Sequence, residues 1–189
     1  MEAFHIIEPR KLVHISGTAF VFIALYSAYI SIALISLGLA VFIALELAKR
    51  YVKKEYLSIL YRDGEMKGCA FEPFLYLVSI AGLLVISLYY APEVCYASII
   101  VLTLGDGVAS TMGKKFGRRK LPYTKKTLAG TVSGIIVSSA VGYFFVGPLI
   151  FIGSIAGMIT EAYAGKLENL WIPVAAFLSM ALIKALWAS

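Results

Sequence analysis

The sequence predicts an all-α protein, a polytopic membrane helix bundle of about seven transmembrane helices with its N-terminus in the cytoplasm and its C-terminus outside. Of the 189 residues, 60% are hydrophobic and the mean hydropathy is +0.86, whereas soluble domains are about 45–50% apolar. Apolar runs of about 20 residues, the length that crosses a bilayer as a helix, recur along the chain. The sequence lacks the short alternating segments of membrane barrels, so helices are the expected spanning element.

The helices follow from the apolar runs and their ends. The run from Leu12 to Ala48 is divided into helices at 12–28 and 30–49, with a turn near Ser27 to Ser31. An unbroken helix would be about 57 Å long, too long for a bilayer core of about 30 Å. The other five helices are predicted at 71–90, 92–115, 128–146, 148–164 and 169–188. We treat residues 1–189 as a single membrane-embedded domain.

The basic residues are distributed very unevenly. Sixteen of the 17 lysines and arginines precede helix one or lie in the connections after helices two, four and six. Basic residues in short connections stay in the cytoplasm, so these connections are predicted to face it. The exception is Lys184, near the far end of helix seven, which is expected to extend outward. Arg10 and Lys11 precede an apolar run too long for a signal peptide, so we expect this segment to be retained.

The cysteines and the net charge suggest no further chemistry. Cys69 and Cys95 are predicted on opposite sides of the membrane, so a disulfide between them is not expected, and no cysteine–histidine cluster indicates zinc. The net charge of +6 is explained by cytoplasmic basic connections that also attract anionic membrane lipids. No nucleic-acid partner is expected, because the sequence shows no soluble domain to bind one. Nothing in the sequence indicates an oligomeric state.

Two acids lie within predicted membrane helices and away from the other charges, Asp106 in helix four and Glu161 in helix six, and Glu46 is a third, nearer the cytoplasmic end of helix two. A charge at the membrane centre costs roughly 2.5–3.5 kcal/mol on insertion scales. Small residues follow Asp106 at helical spacing, recur every four residues on both sides of Glu161 and also mark helix five, and such residues let helices approach closely. The acids are therefore predicted to face protein, where they either hydrogen-bond a neighbouring helix or hold a cation such as Mg²⁺. The small residues are Ala109, Ser110, Gly113, Gly117, Gly130, Gly134, Ser138, Gly142, Gly153, Gly157 and Gly165.

The connection after helix four is unusually basic. It reads KKFGRRKLPYTKKTLAGT from Lys114 to Thr131, with seven cations in residues 114–126, more than membrane topology requires. Helix five opens within this segment, from Thr127 onward, and its first free N–H groups would favour a phosphate. Thr127 is expected either to cap this helix or to reach a phosphate oxygen. The segment is not a Walker A motif, because the spacing, the residue after the lysine and the preceding strand are all wrong.

Two further segments carry polar groups to the predicted cytoplasmic edge. RKLVH places Arg10 and His14 on one helix face, as part of a site or as an interfacial anchor. EAYAGKLENLWIP offers Glu161, Glu168 and Asn169 at the turn between helices six and seven.

The segment from Gly105 to Thr131 resembles the dolichol kinase family, which includes phytol kinases and the yeast-type CTP-dependent diacylglycerol kinase. The similarity lies in the GD pair, in the small residues after it and in LPYTKKTLAGT; RKLVH and the late Glu–Asn pattern followed by IP are similar as well. Two positions differ from the family pattern: Ala129 stands where an acid is frequent, and Glu168 where Asp usually precedes Asn169. These differences concern the class of lipid substrate more than the type of reaction.

The resemblance implies that the terminal phosphate of CTP is transferred to a membrane-embedded lipid alcohol of the polyprenol or dolichol type. Asp106 and Glu161 would hold Mg²⁺, and Lys125 and Lys126 would neutralise the phosphates. His14 or a carboxylate would accept the alcohol proton. The expected nucleotide-binding residues are Arg10, Gly105, Lys114, Lys115, Lys125, Lys126, Thr127, Gly130, Thr131 and Asn169.

Two other functions fit parts of the pattern. A CTP-dependent cytidylyltransferase would make a CDP-lipid from a lipid phosphate, but its late glycine- and acid-rich signature is missing. A small transporter would use Asp106 and Glu161 as ion sites, but we find no inverted repeat in the sequence.

Overall fold

A computed structural model describes residues 9–51, 68 and 70–188 of the chain. Within these residues every extended regular element is a helix, which confirms the all-α class. The helices are α1 (Pro9–Ser16), α2 (Ala19–Tyr26), α3 (Ala28–Ala48), α4 (Phe71–Ile86), α5 (Pro92–Ile100), α6 (Asp106–Phe116), α7 (Leu128–Val146), α8 (Ile150–Tyr163) and α9 (Glu168–Ala188). Short 3₁₀ turns at Lys49–Tyr51, Gly147–Leu149 and Gly165–Leu167 and a π-helical segment at Val101–Gly105 complete them.

The first three helices, α1 to α3, differ in detail from the prediction. The first predicted helix is divided into α1 and α2 by a turn at Gly17 and Thr18. The boundary between α2 and α3 is a single extended residue, Ser27, whose side chain accepts a hydrogen bond from the Ile30 amide at 3.4 Å. The predicted turn is therefore present but shorter, because one serine both breaks the chain direction and caps the next helix.

The centre of the bundle is the continuous rod formed by α5, the π-helical segment and α6. Its side chains are buried from Val94 to Thr103, and it packs against α4, α7 and α9. A helix that is buried on all sides carries no lipid-facing surface. The predicted fourth helix is thus the core around which the other helices are arranged.

The last three helices bring distant residues to one end of this rod. A turn with Gly147 at φ 57° and Pro148 after it reverses the chain between α7 and α8. Ser138 of α7 donates a hydrogen bond to Ser154 of α8 at 3.0 Å, so the two helices pack as a hairpin. As a result the start of α7 and the end of α8 lie at the same end of the bundle.

Close packing of small residues is observed where the sequence predicts it. A Cβ added at Gly130 would lie 2.5 Å from the Ala109 carbonyl oxygen, and one at Gly134 would lie 2.8 Å from that of Gly105. The α6–α7 seam, defined by Ala109 and Gly113 on α6 and by Gly130 and Gly134 on α7, therefore brings two backbones into direct contact.

Four helical segments in the described part of the chain are long and apolar enough to cross a membrane: Ala28–Ala48, Pro92–Phe116, Leu128–Tyr163, which comprises α7, the turn at Gly147 and α8, and Gly165–Trp187. The apolar helices Lys11–Tyr26 and Phe71–Ile86 are shorter. A 16-residue helix such as Phe71–Ile86 reaches about 24 Å, less than a bilayer core of about 30 Å. The chain is an integral membrane protein, but these lengths do not support the predicted count of seven spanning helices.

Several predictions concern residues outside the described part. The side chains of Arg10 and Arg50 are among them, as are Cys69 and the whole of Lys53, Lys54, Arg62 and Lys67. Of the two cysteines, Cys95 is described, and it is buried with a free thiol.

Candidate active site

Asp106 is the first residue of α6 and lies directly after the π-helical segment, with only 1% of its surface exposed. Its Oδ2 atom accepts from the Lys11 ammonium at 3.3 Å and lies 3.1 Å from His14 Nε2. Its Oδ1 atom accepts from the Ser110 hydroxyl at 3.2 Å. A buried carboxylate is tolerated where a cation and hydrogen-bond donors surround it. Helix α1 supplies the cation here, so Asp106 faces protein as predicted.

His14 links α1 to the π-helical segment. Its Nε2 atom also lies 3.2 Å from the Leu102 carbonyl oxygen. Because both neighbours of Nε2 are acceptors, this nitrogen carries a proton and donates. The His14 ring packs on Tyr76, with ring centroids 4.1 Å apart, and the Tyr76 hydroxyl donates to the His14 carbonyl oxygen. A π-helical turn frequently marks a functional site, and here it brings a backbone acceptor to His14.

Gly17 leaves the space that the Tyr76 hydroxyl occupies, since a Cβ at Gly17 would lie 1.8 Å from that oxygen and 2.9 Å from Cζ. We expect Gly17→Ala to destabilise the protein by about 1–3 kcal/mol through overpacking and to displace His14. Tyr76→Phe removes the closest clashing atom, so the double variant is expected to be more stable than Gly17→Ala alone. Thermal unfolding in detergent measures this, and additive losses in the double variant would contradict it.

Two more carboxylates meet beside Asp106. Glu161, near the end of α8, and Glu168, at the start of α9, both pair with the ammonium of Lys126, Glu168 at 2.8 Å. One oxygen from each of Asp106, Glu161 and Glu168 lies within 4.8 Å of the others. All three side chains are buried. We call these three residues the acid cluster; their oxygens suit a hard divalent cation such as Mg²⁺.

The chain between α6 and α7 fixes the backbone at Lys126. Its amide donates to the Thr124 hydroxyl at 3.2 Å, and its carbonyl accepts from the Leu121 amide at 2.9 Å. Burial alone would lower the pKa of Lys126, but the neighbouring carboxylates of Glu161 and Glu168 hold that pKa above the usual lysine value. Lys126 is therefore a full cation directly beside the acid cluster.

A cleft of about 690 Å³ opens above these groups at the start of α7. Thr127 caps α7 by accepting from the Gly130 amide at 3.2 Å, which confirms the first of its two predicted uses. Two atoms from residues that line the cleft, Glu161 Oε2 and Thr131 Oγ1, are buried and have no hydrogen-bond partner in the described part of the chain. Unpartnered polar atoms at a cleft indicate a ligand or ordered water. The lysines lining the cleft are Lys11, Lys114, Lys125, Lys126 and Lys166.

Most of the predicted site residues come together here. Asp106 and His14 lie beneath the cleft, and the cleft lining includes Lys114, Lys125, Lys126, Thr127, Gly130, Thr131 and Glu161.

Three other predicted residues are not among those that line the cleft in the described part of the chain. Lys115 is exposed, and its ammonium lies over the Phe116 ring. Gly105 packs against Met158. The side-chain amide of Asn169 donates to the Glu72 carbonyl oxygen at 2.9 Å. Arg10 belongs to α1, but its side chain lies outside the described residues.

Two charged members of the site were missing from the prediction. Lys11 pairs with Asp106, and Glu168 joins the acid cluster. The spacing held a signal for the first, because Lys11 and His14 stand three residues apart and so share a helix face. The signal for Glu168 is its place beside Asn169 in the polar turn between the predicted helices six and seven, although no metal or catalytic role was predicted for it.

The fold and the site together define a helical membrane protein with a basic, carboxylate-bearing cleft at one end of its central rod. Farnesol kinase from Arabidopsis thaliana is 32% identical over 150 residues, which cover 72% of this chain and 48% of that protein. Dolichol kinase from Homo sapiens is 33% identical over 90 residues, 42% of this chain and 17% of that protein. Phytol kinase 1 from Arabidopsis thaliana is 40% identical over 53 residues, 25% of this chain and 17% of that protein.

These similarities confirm the resemblance drawn from the sequence: the chain is a relative of the polyprenol, dolichol and phytol kinases. It spans about half the length of the farnesol kinase and a much smaller part of the others. No family model matches the chain, and no solved structure matches it.

Proposed function

We propose that the chain is a Mg²⁺-dependent kinase that transfers the terminal phosphate of CTP to the hydroxyl of an isoprenoid alcohol. The observation that carries this proposal is the acid cluster, which meets Lys126 at the floor of a lysine-lined cleft. Phosphoryl transfer depends on positioning and on neutralising phosphate charge, and this cleft offers both signs of charge for that task. The kinase relatives support a lipid alcohol as acceptor and give no evidence on CTP.

We also propose that the cleft faces the cytoplasm, with the N-terminus inside and the C-terminus outside. The described chain starts near the cleft, where Lys11 lies. It ends at the opposite end, where Lys184 pairs with Glu93 at the start of the central rod. The positive-inside tendency then favours the lysine-lined end as the cytoplasmic one.

The residues present fit a magnesium ion. Asp106, Glu161 and Glu168 provide carboxylate oxygens, and Glu161 Oε2 has no other partner in the described part of the chain. When bound, the ion would supply charge neutralisation on the phosphates. Asp106 is oriented for this by Ser110 and by the donors on α1.

The remaining groups receive phosphates and position the alcohol. Lys114 and Lys125 line the cleft above the start of α7, where the positive end of the helix dipole favours phosphate oxygens. The alcohol hydroxyl would enter from the membrane surface while its tail stays among lipids. His14 Nε2 already carries a proton toward Asp106 and the Leu102 carbonyl, so a carboxylate is favoured over His14 as the acceptor of the alcohol proton.

The proposal is tested with purified protein, γ-labelled CTP, Mg²⁺ and a series of alcohols that includes farnesol, phytol and dolichol. We expect label in the lipid phase with at least one alcohol, and less with ATP as donor. Label appearing as pyrophosphate with a lipid phosphate as acceptor would instead support a cytidylyltransferase. No turnover with any lipid, together with solute uptake into liposomes that hold the protein, would support a transporter and contradict the kinase.

A further inference from the structure

Lys126 occupies the position in the acid cluster that a divalent cation would need. Its ammonium contacts Glu161 and Glu168, and those carboxylates lie within 4.8 Å of the Asp106 carboxylate. The three acids and the two lysines that pair with them, Lys11 and Lys126, together carry a net charge of −1. A divalent ion placed there beside the ammonium would experience strong repulsion at close range.

We propose that Lys126 is an internal cation that competes with the metal: it neutralises the acid cluster in the free protein, and a divalent cation binds only when the ammonium moves away into the cleft. The proposal rests on the proposed function in taking the cleft to be a metal and phosphate site. It adds that binding of the metal is coupled to movement of the Lys126 ammonium, which the proposed function does not specify.

The geometry permits this exchange. The Lys126 side chain is 30% exposed, so one side of it faces the open cleft, where a phosphate would receive the ammonium. The backbone at Lys126 is fixed on both sides by hydrogen bonds, so only the flexible side chain has to move. Glu161 is 1% exposed, and its Oε2 atom has no partner in the described residues, so one ligand atom is available before the lysine leaves.

Lys125 is the matched control. It lines the same cleft and has the same charge, but in the described part of the chain it forms no ion pair with a carboxylate. Removing Lys125 or Lys126 changes the net charge equally, so any general electrostatic effect on metal binding is shared. Only the loss of Lys126 exposes the acid cluster.

The test measures Mn²⁺ binding to the detergent-purified full chain in the absence of nucleotide. Electron paramagnetic resonance detects the bound ion. We expect Lys126→Met to bind Mn²⁺ about tenfold more tightly than the wild type, because a competing cation is gone. Lys125→Met should change the affinity less than about twofold, as expected for a screened charge outside the cluster. Unchanged or weaker binding in Lys126→Met, or the same change in both variants, would overturn the proposal.

A second measurement uses only the wild-type protein, so it does not depend on whether a Lys126 variant folds. Wild-type protein is treated with an amine-acylating reagent at increasing Mg²⁺, and the modification of each lysine is read by mass spectrometry. Lys126 should react faster as Mg²⁺ rises while Lys125 does not, and a Lys126 rate that stays constant or falls would overturn the exchange. These results are separable from the kinase: metal-coupled Lys126 reactivity without lipid phosphorylation would contradict only the proposed function, and phosphorylation with an unresponsive Lys126 would contradict only the exchange.

Discussion

Asp106→Asn is expected to reduce phosphate transfer by about a thousandfold or more, because it removes the charged oxygen that links the acid cluster to α1. The asparagine has nearly the same shape but cannot neutralise Lys11, and its amide would place donors toward His14. The measurement is the initial rate of lipid labelling by the purified variant. Its size-exclusion profile and unfolding temperature show whether it is folded.

Glu93→Gln is the matched control for this variant. Glu93 is a carboxylate on the same central rod and is also paired with a lysine, Lys184, but it lies at the opposite end. We expect it to keep activity within about twofold, since surface ion pairs contribute little. A folded Asp106→Asn protein with normal activity, or an equal loss in both variants, would remove Asp106 from the mechanism.

Gly130→Ala is expected to lower activity by about a hundredfold, because displacements of about 1 Å at a site carry costs of that size. The new Cβ would lie 2.5 Å from the Ala109 carbonyl oxygen and 3.1 Å from Gly113 Cα. These are backbone atoms, so α6 and α7 must separate, and the start of α7 would carry Lys126 away from the acid cluster. The gain in helix propensity of about 1 kcal/mol partly offsets an overpacking cost of about 1–3 kcal/mol. We therefore expect a small fall in unfolding temperature beside a large loss of activity.

Gly38→Ala tests whether this effect comes from the seam. Gly38 lies within α3, and nothing lies within 4 Å of the Cβ that alanine would add. We expect wild-type activity and equal or slightly higher stability. If Gly130→Ala behaved in the same way, direct contact between the α6 and α7 backbones would not be needed for activity.

Local signals in the sequence determined several elements closely. Helix α7 spans Leu128–Val146 as predicted, because Thr127 supplies its cap and Gly147 with Pro148 prevents its continuation. The small residues after Asp106 also fall on the predicted face. The π-helical segment precedes Asp106, so it does not disturb the spacing of the residues that follow.

Other features depend on tertiary contacts that no local pattern reveals. The break at Gly17 and Thr18 lies within the long run that the sequence divides only near Ser27, and it coincides with the approach of Tyr76 from α4. The π-helical segment has no signature in VLTLG. The pairing of Lys11 with Asp106 depends on how α1 is rotated against the central rod, which sequence spacing alone leaves open.

Paired labelling of the phosphate donor tests the central claim most directly. Purified protein is given CTP labelled either at the α- or at the γ-phosphate, with Mg²⁺ and an isoprenoid alcohol, and the lipid phase is counted. Phosphate transfer at the acid cluster predicts γ-label in the lipid and α-label only in water-soluble CDP, with both signals absent in Asp106→Asn. Label in the lipid from α-labelled CTP, or no γ-label in the lipid with any alcohol, would contradict it.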